Sequence, residues 1–172
     1  MKTFPNLRRL TIWSLLSATL ALASCSSMPE RVAPGTARAD IETRLGRPSA
    51  VHTLPNSGTR LQYSGQPGGQ WVYNLDLGPD GRLLRTEQAM DIDWLQKNIQ
   101  IGRWTRDDVS LNLGKPAQIE RVARFDGAIW TYRFKQMDLP RQAHVHLDPA
   151  GVVRQLMFTD ETVADTAPPS YN

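Results

Sequence analysis

The densest cluster of chemistry-bearing side chains in the chain is His144-Val145-His146-Leu147-Asp148. Alternate residues of a β-strand share a face, so two imidazoles and a carboxylate would point the same way, an arrangement that could ligate zinc. Two observations weigh against a metal. No third strong ligand follows nearby in the sequence, and His52 is remote. A solvated sheet face is the simpler reading, and no cofactor is expected. Nucleophilic and phosphate-binding signatures are missing too: there is no Gly-x-Ser-x-Gly, no Walker loop and no Gly-x-Gly-x-x-Gly after a strand. Asp40, Asp107 and Asp108 sit at predicted helix starts, where capping explains them better than acid–base work. Trp71, Trp94 and Trp130 suit a core. Trp104, just outside a helix start, is the best candidate for an exposed anchor.

Cys25 is the only cysteine, so no internal disulfide can form. Ahead of it lie the cations Lys2, Arg8 and Arg9, an apolar or small-residue run over 10–23, and Leu22-Ala23-Ser24-Cys25. This is the layout of a secretory signal. Its apolar run is shorter than the roughly 20 residues a bilayer-spanning helix needs. Leu22-Ala23-Ser24-Cys25 resembles the lipobox of bacterial lipoproteins, in which the signal (here 1–24) is cut before a cysteine that carries lipid. The resemblance implies three acyl chains on Cys25, enough for stable anchoring. Ser26, rather than Asp, implies release to the outer membrane, with the protein facing the periplasm.

Removal of Lys2, Arg8 and Arg9 would leave 17 of the 20 Lys and Arg against 17 Asp and Glu. The pI of about 9.3 therefore reflects the leader, and nothing in the charge balance points to nucleic acid.

The elements that must position these residues come from an internal repeat. Thr36–Pro48 aligns with Trp104–Pro116, placing Asp40 on Asp108, Ile41 on Val109 and Leu45-Gly46-x-Pro48 on Leu113-Gly114-x-Pro116. Gly58-x-x-Leu61-Gln62-Tyr63 aligns with Gly127-x-x-Trp130-Thr131-Tyr132, and Leu75-Asp76-Leu77 with Val145-His146-Leu147. Each copy predicts a short helix, capped by Thr36 or Thr105 and stopped by Gly46 or Gly114 with a following proline, and then strands. A further helix capped by Asp91 and ended by Gly102 precedes the second copy. Asp126-Gly127 is a two-residue hairpin signal that would pair Ala123 with Trp130, Arg121 with Tyr132 and Ile119 with Phe134. The predicted fold class is α+β: two tandem units, each a short helix or helix pair on one face of an antiparallel sheet. The expected boundaries are a tether over 25–33, units over 34–90 and 91–159, and a disordered acidic tail over 160–172. The loop 65–69 is expected to be the least ordered internal stretch.

The second copy, with Ile101-Gly102, Thr105, Val109, Leu113-Gly114-x-Pro116, Trp130-x-Tyr132 and Gly151-Val152-Val153, resembles the BamE (SmpA/OmlA) family of lipoproteins. The fold of that family is akin to the β-lactamase inhibitor protein. The first copy matches more loosely, with Leu61 where the motif has Trp. The resemblance implies an outer-membrane lipoprotein that binds an envelope protein, as an accessory to the machinery that assembles β-barrels. Two units in one chain depart from BamE and are similar to the duplicated inhibitor architecture. The alternative is therefore a module that inhibits an envelope enzyme or sequesters an anionic envelope component. No enzymatic activity is expected.

Strand alternation assigns Leu61, Tyr63, Trp71, Tyr73, Leu75, Trp130, Tyr132, Phe134, Val145 and Leu147 to the helix-facing side. The opposite side then carries Arg60, Gln62, Asn74, Asp76, Thr131, Arg133, His144 and His146. With no helix left to cover them, these residues and Trp104 form the expected partner-binding surface, a broad polar concave face across both sheets. Charge reversal of Arg133 is expected to leave folding intact.

Overall fold

The computed structural model describes residues 28–161. The leader, Cys25 and the tail from 162 lie outside the described residues. The chain is α+β, with two four-stranded antiparallel sheets in sequential order. Unit 1 comprises α1 (Arg38–Leu45), β1 (Ala50–Thr53), β2 (Thr59–Ser64), β3 (Val72–Leu77) and β4 (Leu83–Gln88). Unit 2 comprises α2 (Ile92–Asn98), α3 (Arg106–Leu113), β5 (Gln118–Val122), β6 (Phe125–Gln136), β7 (Leu139–Leu147) and β8 (Val153–Asp160).

The repeat holds at the level of single hydrogen bonds. The Tyr63 hydroxyl donates to the Gly46 carbonyl at 3.0 Å, and the Tyr132 hydroxyl to the Gly114 carbonyl at 2.9 Å. Each ties the second or central strand of its sheet to its helix stop. Isolated bridges Ala37–Arg82 and Thr105–Val152 close the two units in the same way. Gly46 (φ 79°) and Gly114 (φ 72°) both adopt the positive-φ conformation that the helix stop requires.

The caps differ between the copies. Thr105 and Asp108 form a reciprocal capping box at α3, and Asp91 caps α2 by accepting from the Trp94 amide. Thr36 does not cap α1. The cap position belongs to Ala37, which has no side-chain acceptor, and the Thr36 hydroxyl donates instead to the Ala33 carbonyl. The alignment already set Ala37 against Thr105. α2 ends at Asn98, and Gly102 (φ 80°) belongs to the turn beyond it.

Two boundaries move. The 3₁₀ turn Pro29–Arg31 packs on unit 1 rather than hanging as a tether: Pro29 and Val32 are buried, and the Tyr73 hydroxyl donates to Glu30 at 2.6 Å. Burial, reinforced by that bond to a carboxylate, pushes the Tyr73 phenol up to about 12. At the other end, β8 runs through Asp160, and the Glu161 amide donates to the Pro140 carbonyl. The predicted tail therefore begins later than 160.

The β5–β6 hairpin turns at Ala123-Arg124, with Val122 opposite Phe125 and Ile119 opposite Trp130. The Asp126-Gly127 signal is instead part of a bulge on β6, where Gly127 has φ 151° and a Cβ would lie 2.1 Å from the Leu147 carbonyl oxygen. The predicted register is thus displaced by four residues. Because four is even, every side chain keeps its predicted face.

The stacking of layers is the feature that sequence alternation did not anticipate. One core holds Ile41, Leu61, Tyr63, Tyr73, Leu75, Leu77 and Leu83 between α1 and the first sheet. The other holds Leu95, Val109, Leu113, Tyr132, Phe134, Val145 and Leu147 between α2, α3 and the second sheet. Val72, from the far side of the first sheet, joins this second core. The C-terminal end of α3 therefore packs on the side of the first sheet opposite α1, with the second sheet beyond it.

Candidate binding surfaces

This stacking covers half of the expected polar face. Arg60, Gln62, Asn74 and Asp76 lie on one side of the first sheet as predicted, but are only 4%, 1%, 0% and 6% exposed. For the first three the partner is the C-terminal turn of α3. Asn74 donates to the Asn112 carbonyl at 2.8 Å, Gln62 to the Leu111 carbonyl at 3.2 Å, and Arg60 to Asn112 Oδ1 at 2.8 Å. A helix end leaves its last carbonyls without intrahelical donors, and here a neighbouring sheet supplies them. Arg60 also makes a bidentate pair with Asp76, at 2.6 and 2.9 Å, and Arg85 adds a third bond to Asp76 at 2.9 Å. Burial opposes ionisation of Asp76, yet the bonds and charge of Arg60, then of Arg85, outweigh it and hold its carboxyl below the ordinary value. Arg60, Gln62 and Asn74 join the two units and Asp76 holds Arg60 in place; none of the four faces a partner.

Arg133 is committed as well. β5 begins opposite Thr131, so it offers the Arg133 amide no acceptor. Gln66 takes that place: the Arg133 amide donates to Gln66 Oε1 at 3.1 Å, and Gln66 Nε2 donates to the Arg133 carbonyl at 2.6 Å. The Arg133 guanidinium donates to the Pro67 carbonyl at 2.8 Å and to Glu161 at 2.6 Å, and Gln70 donates to Glu161 at 3.2 Å. The loop 65–69, expected to be loose, is thus clasped onto the second sheet.

Thr131, His144 and His146 do share the outer face of the second sheet. Thr131 Oγ1 and His144 Nδ1 lie 2.9 Å apart, and His144 Nε2 and Thr159 Oγ1 2.8 Å, so both ring nitrogens are engaged by hydroxyls. Thr131 is buried and His146 nearly so, with Phe125 edge-on to the His146 ring at 5.0 Å. Burial lowers the pKa of both imidazoles; Glu120 partly opposes this at His144, and His144 adds to it at His146. Asp148 does not complete a ligand set. A bulge at His146/Leu147 carries it into the turn, where it accepts from the Val152 amide at 2.9 Å and from Arg154 at 2.6 Å. Trp104 is half-buried, packed edge-on to Trp94 against the second core, and is no exposed anchor.

Two other features of the described residues are open to a partner or ligand. The first is the edge strand β5, exposed along its whole length, with Ile119 at 59% and Val122 at 45% exposure. The second is a cleft of about 580 Å³ at the seam of the units, walled by β1, the end of α3 and β5. Trp130, Ile119, Pro116 and Ala50 give it an apolar lining, with His52 and Lys115 among its polar groups. Neither the cleft nor Gln66 was marked by any sequence motif. The one available signal was Trp130, a large aromatic on the helix-facing side that packs at the margin of the second core.

No family model matches the chain. A 49-residue stretch, 27% of this chain, is 41% identical to the mouse H-2 class I histocompatibility antigen, D-37 alpha chain, of which it covers 14%. An 81-residue stretch, 42% of the chain, is 36% identical to the Saoe class I histocompatibility antigen, C alpha chain, of Saguinus oedipus, of which it covers 22%. The chain thus spans under a quarter of the length of these relatives, and the matches assign no family. Among solved structures, a DUF4309 family protein from Bacillus subtilis aligns over 81% of this chain and 90% of its own at 14% identity, with a TM-score of 0.31.

Proposed function

We propose that this protein is a lipid-anchored, non-enzymatic binding module of the bacterial outer membrane. In this reading it faces the periplasm and assists β-barrel protein assembly in the manner implied by its resemblance to the BamE family. The anchor is Cys25 in Leu22-Ala23-Ser24-Cys25. The observation that carries the binding role is β5, an edge strand exposed throughout and bearing the apolar residues Ile119 and Val122. Soluble proteins usually blunt such an edge, because its free backbone groups and apolar side chains recruit another chain. Addition of a partner strand to β5 uses both. Thr131, His144 and His146 then flank the docked partner rather than grip it.

The test has two arms. Cys25→Ser is expected to abolish labelling by a fatty-acid analogue and to release the protein from membranes; persistent labelling would sink the anchor. From detergent-solubilised membranes, barrel-assembly subunits should co-purify with the parent and be depleted with Val122→Glu. Their absence from the parent, or equal recovery with the variant, overturns the binding role.

A further inference from the structure

We infer that the cleft at the seam of the two units is a binding site for an alkyl carboxylate, a fatty acid in its free form. The inference stands on the cleft, one wall of which is β5, and does not rest on the anchor or on addition of a partner strand to that edge. At about 580 Å³ the cleft falls within the roughly 300–1,000 Å³ range of small-molecule sites, which are mostly apolar with a few placed polar groups. Trp130, Ile119, Pro116 and Ala50 come from both units and offer an apolar bed.

The charge of the lining is one-sided. Lys115 carries the single permanent charge among the lining residues, no carboxylate joins it, and its ammonium has no ion-pair or hydrogen-bond partner among the described residues. His52 stands in the β1 wall, but its Nε2 is shielded and offers a ligand no bond. An alkyl carboxylate fits what the cleft does present. Its chain covers the apolar bed, and its head supplies an anion for the exposed Lys115 ammonium. A purely apolar ligand would make no use of that charge, and a cationic amphiphile would be repelled by it.

Dodecanoate is the probe, titrated below its micelle concentration into the otherwise entire chain carrying Cys25→Ser, so that no acyl group of the protein competes. Calorimetry should give saturable binding at one site, with a change in tryptophan fluorescence that is lost in Trp130→Phe. Decanoate should bind more weakly by about fourfold for each methylene removed. Lys115→Gln, an exposed change expected to fold, should weaken dodecanoate at least tenfold while leaving the melting temperature unchanged, and dodecanol should bind the parent no better than it binds that variant. Unsaturable partitioning, equal affinity for dodecanol and dodecanoate, or undiminished binding to Lys115→Gln each overturns the inference. Should Trp130→Phe fail to fold, Ile119→Lys serves as the second cleft variant, and unchanged binding there is equally fatal.

Discussion

The side-chain amide of Gln66 occupies both backbone hydrogen-bonding groups of Arg133, 67 positions further along the chain. It acts as a one-residue extension of β5. The loop carrying it is thereby made part of the second sheet, and the two units are joined at a second place besides the α3 contact.

The clasp sets the first prediction. Gln66→Ala leaves an amide and a carbonyl of a half-buried strand unpaired, at a cost of about 1–3 kcal/mol for such groups. Arg133→Glu should also destabilise, because it sets a carboxylate against Glu161 and removes the bond to Pro67. Urea denaturation measures both. A parent-like midpoint for Arg133→Glu would return this residue to the solvent-facing role that strand alternation predicted.

Arg60 and Asp76 form a buried pair, with side chains 5% and 9% exposed. Arg60→Met removes the main counter-charge of Asp76 and one donor to the end of α3. The expected loss is about 3–5 kcal/mol, the range for breaking one side of a buried ion pair. Asp76→Asn combined with Arg60→Met should recover part of that loss, since no buried charge is then stranded. Chemical denaturation of the single and double variants decides; a double variant no more stable than Arg60→Met alone would contradict the account.

The two helix-stop glycines should respond unequally. A side chain at either is strained at positive φ, by on the order of 1 kcal/mol or more. At Gly46 an added Cβ meets nothing within 4 Å, whereas at Gly114 it would lie 2.7 Å from Gln62 Oε1. Gly114→Val should therefore lower the melting temperature more than Gly46→Val. Replacing Gln62 with Ala should narrow the gap only in part, because Gln62 also bonds to Asn74 and Leu111. Equal melts for the two valine variants would place the seam elsewhere.

The imidazoles predict a pH dependence. His144 and His146 have pKa values lowered from 6.5 in the fold, so the unfolded chain takes up protons more readily. Their contribution to stability is present above about pH 6.5 and is lost as pH falls through the lowered values. Thermal melts from pH 7.5 down to 5 should show a decline that His144→Gln with His146→Gln flattens. An undiminished decline in the double variant would assign it to other groups. Asp76 acts in a separate window: with its pKa held below 3.8, its contribution is lost only under more acidic conditions.

Much of this fold could be read from residue order because its determinants are local. The helix stop at Gly114-x-Pro116 follows from backbone conformation, the cap at Thr105 from a hydroxyl three residues before an amide, and the face of each strand residue from a period of two. The hairpin register survived as a face assignment even though Asp126-Gly127 became a bulge, because an even slip preserves that period. The duplicated tyrosine contacts at Gly46 and Gly114 follow from the aligned copies.

What the sequence could not determine was where the second unit would sit, since that depends on surfaces brought together across 38 to 67 residues. Arg60, Gln62, Asn74 and Asp76 read as a solvated face because polar side chains on alternate positions usually are. They are buried because the free carbonyls ending α3 needed donors, and a sheet face rich in amides and one guanidinium provided them. The same docking opened the cleft beside Trp130 and left β5 bare. The periodicity of a strand fixes which side chains share a face, but only the packing of one unit on the other decides whether that face meets water, protein or a ligand.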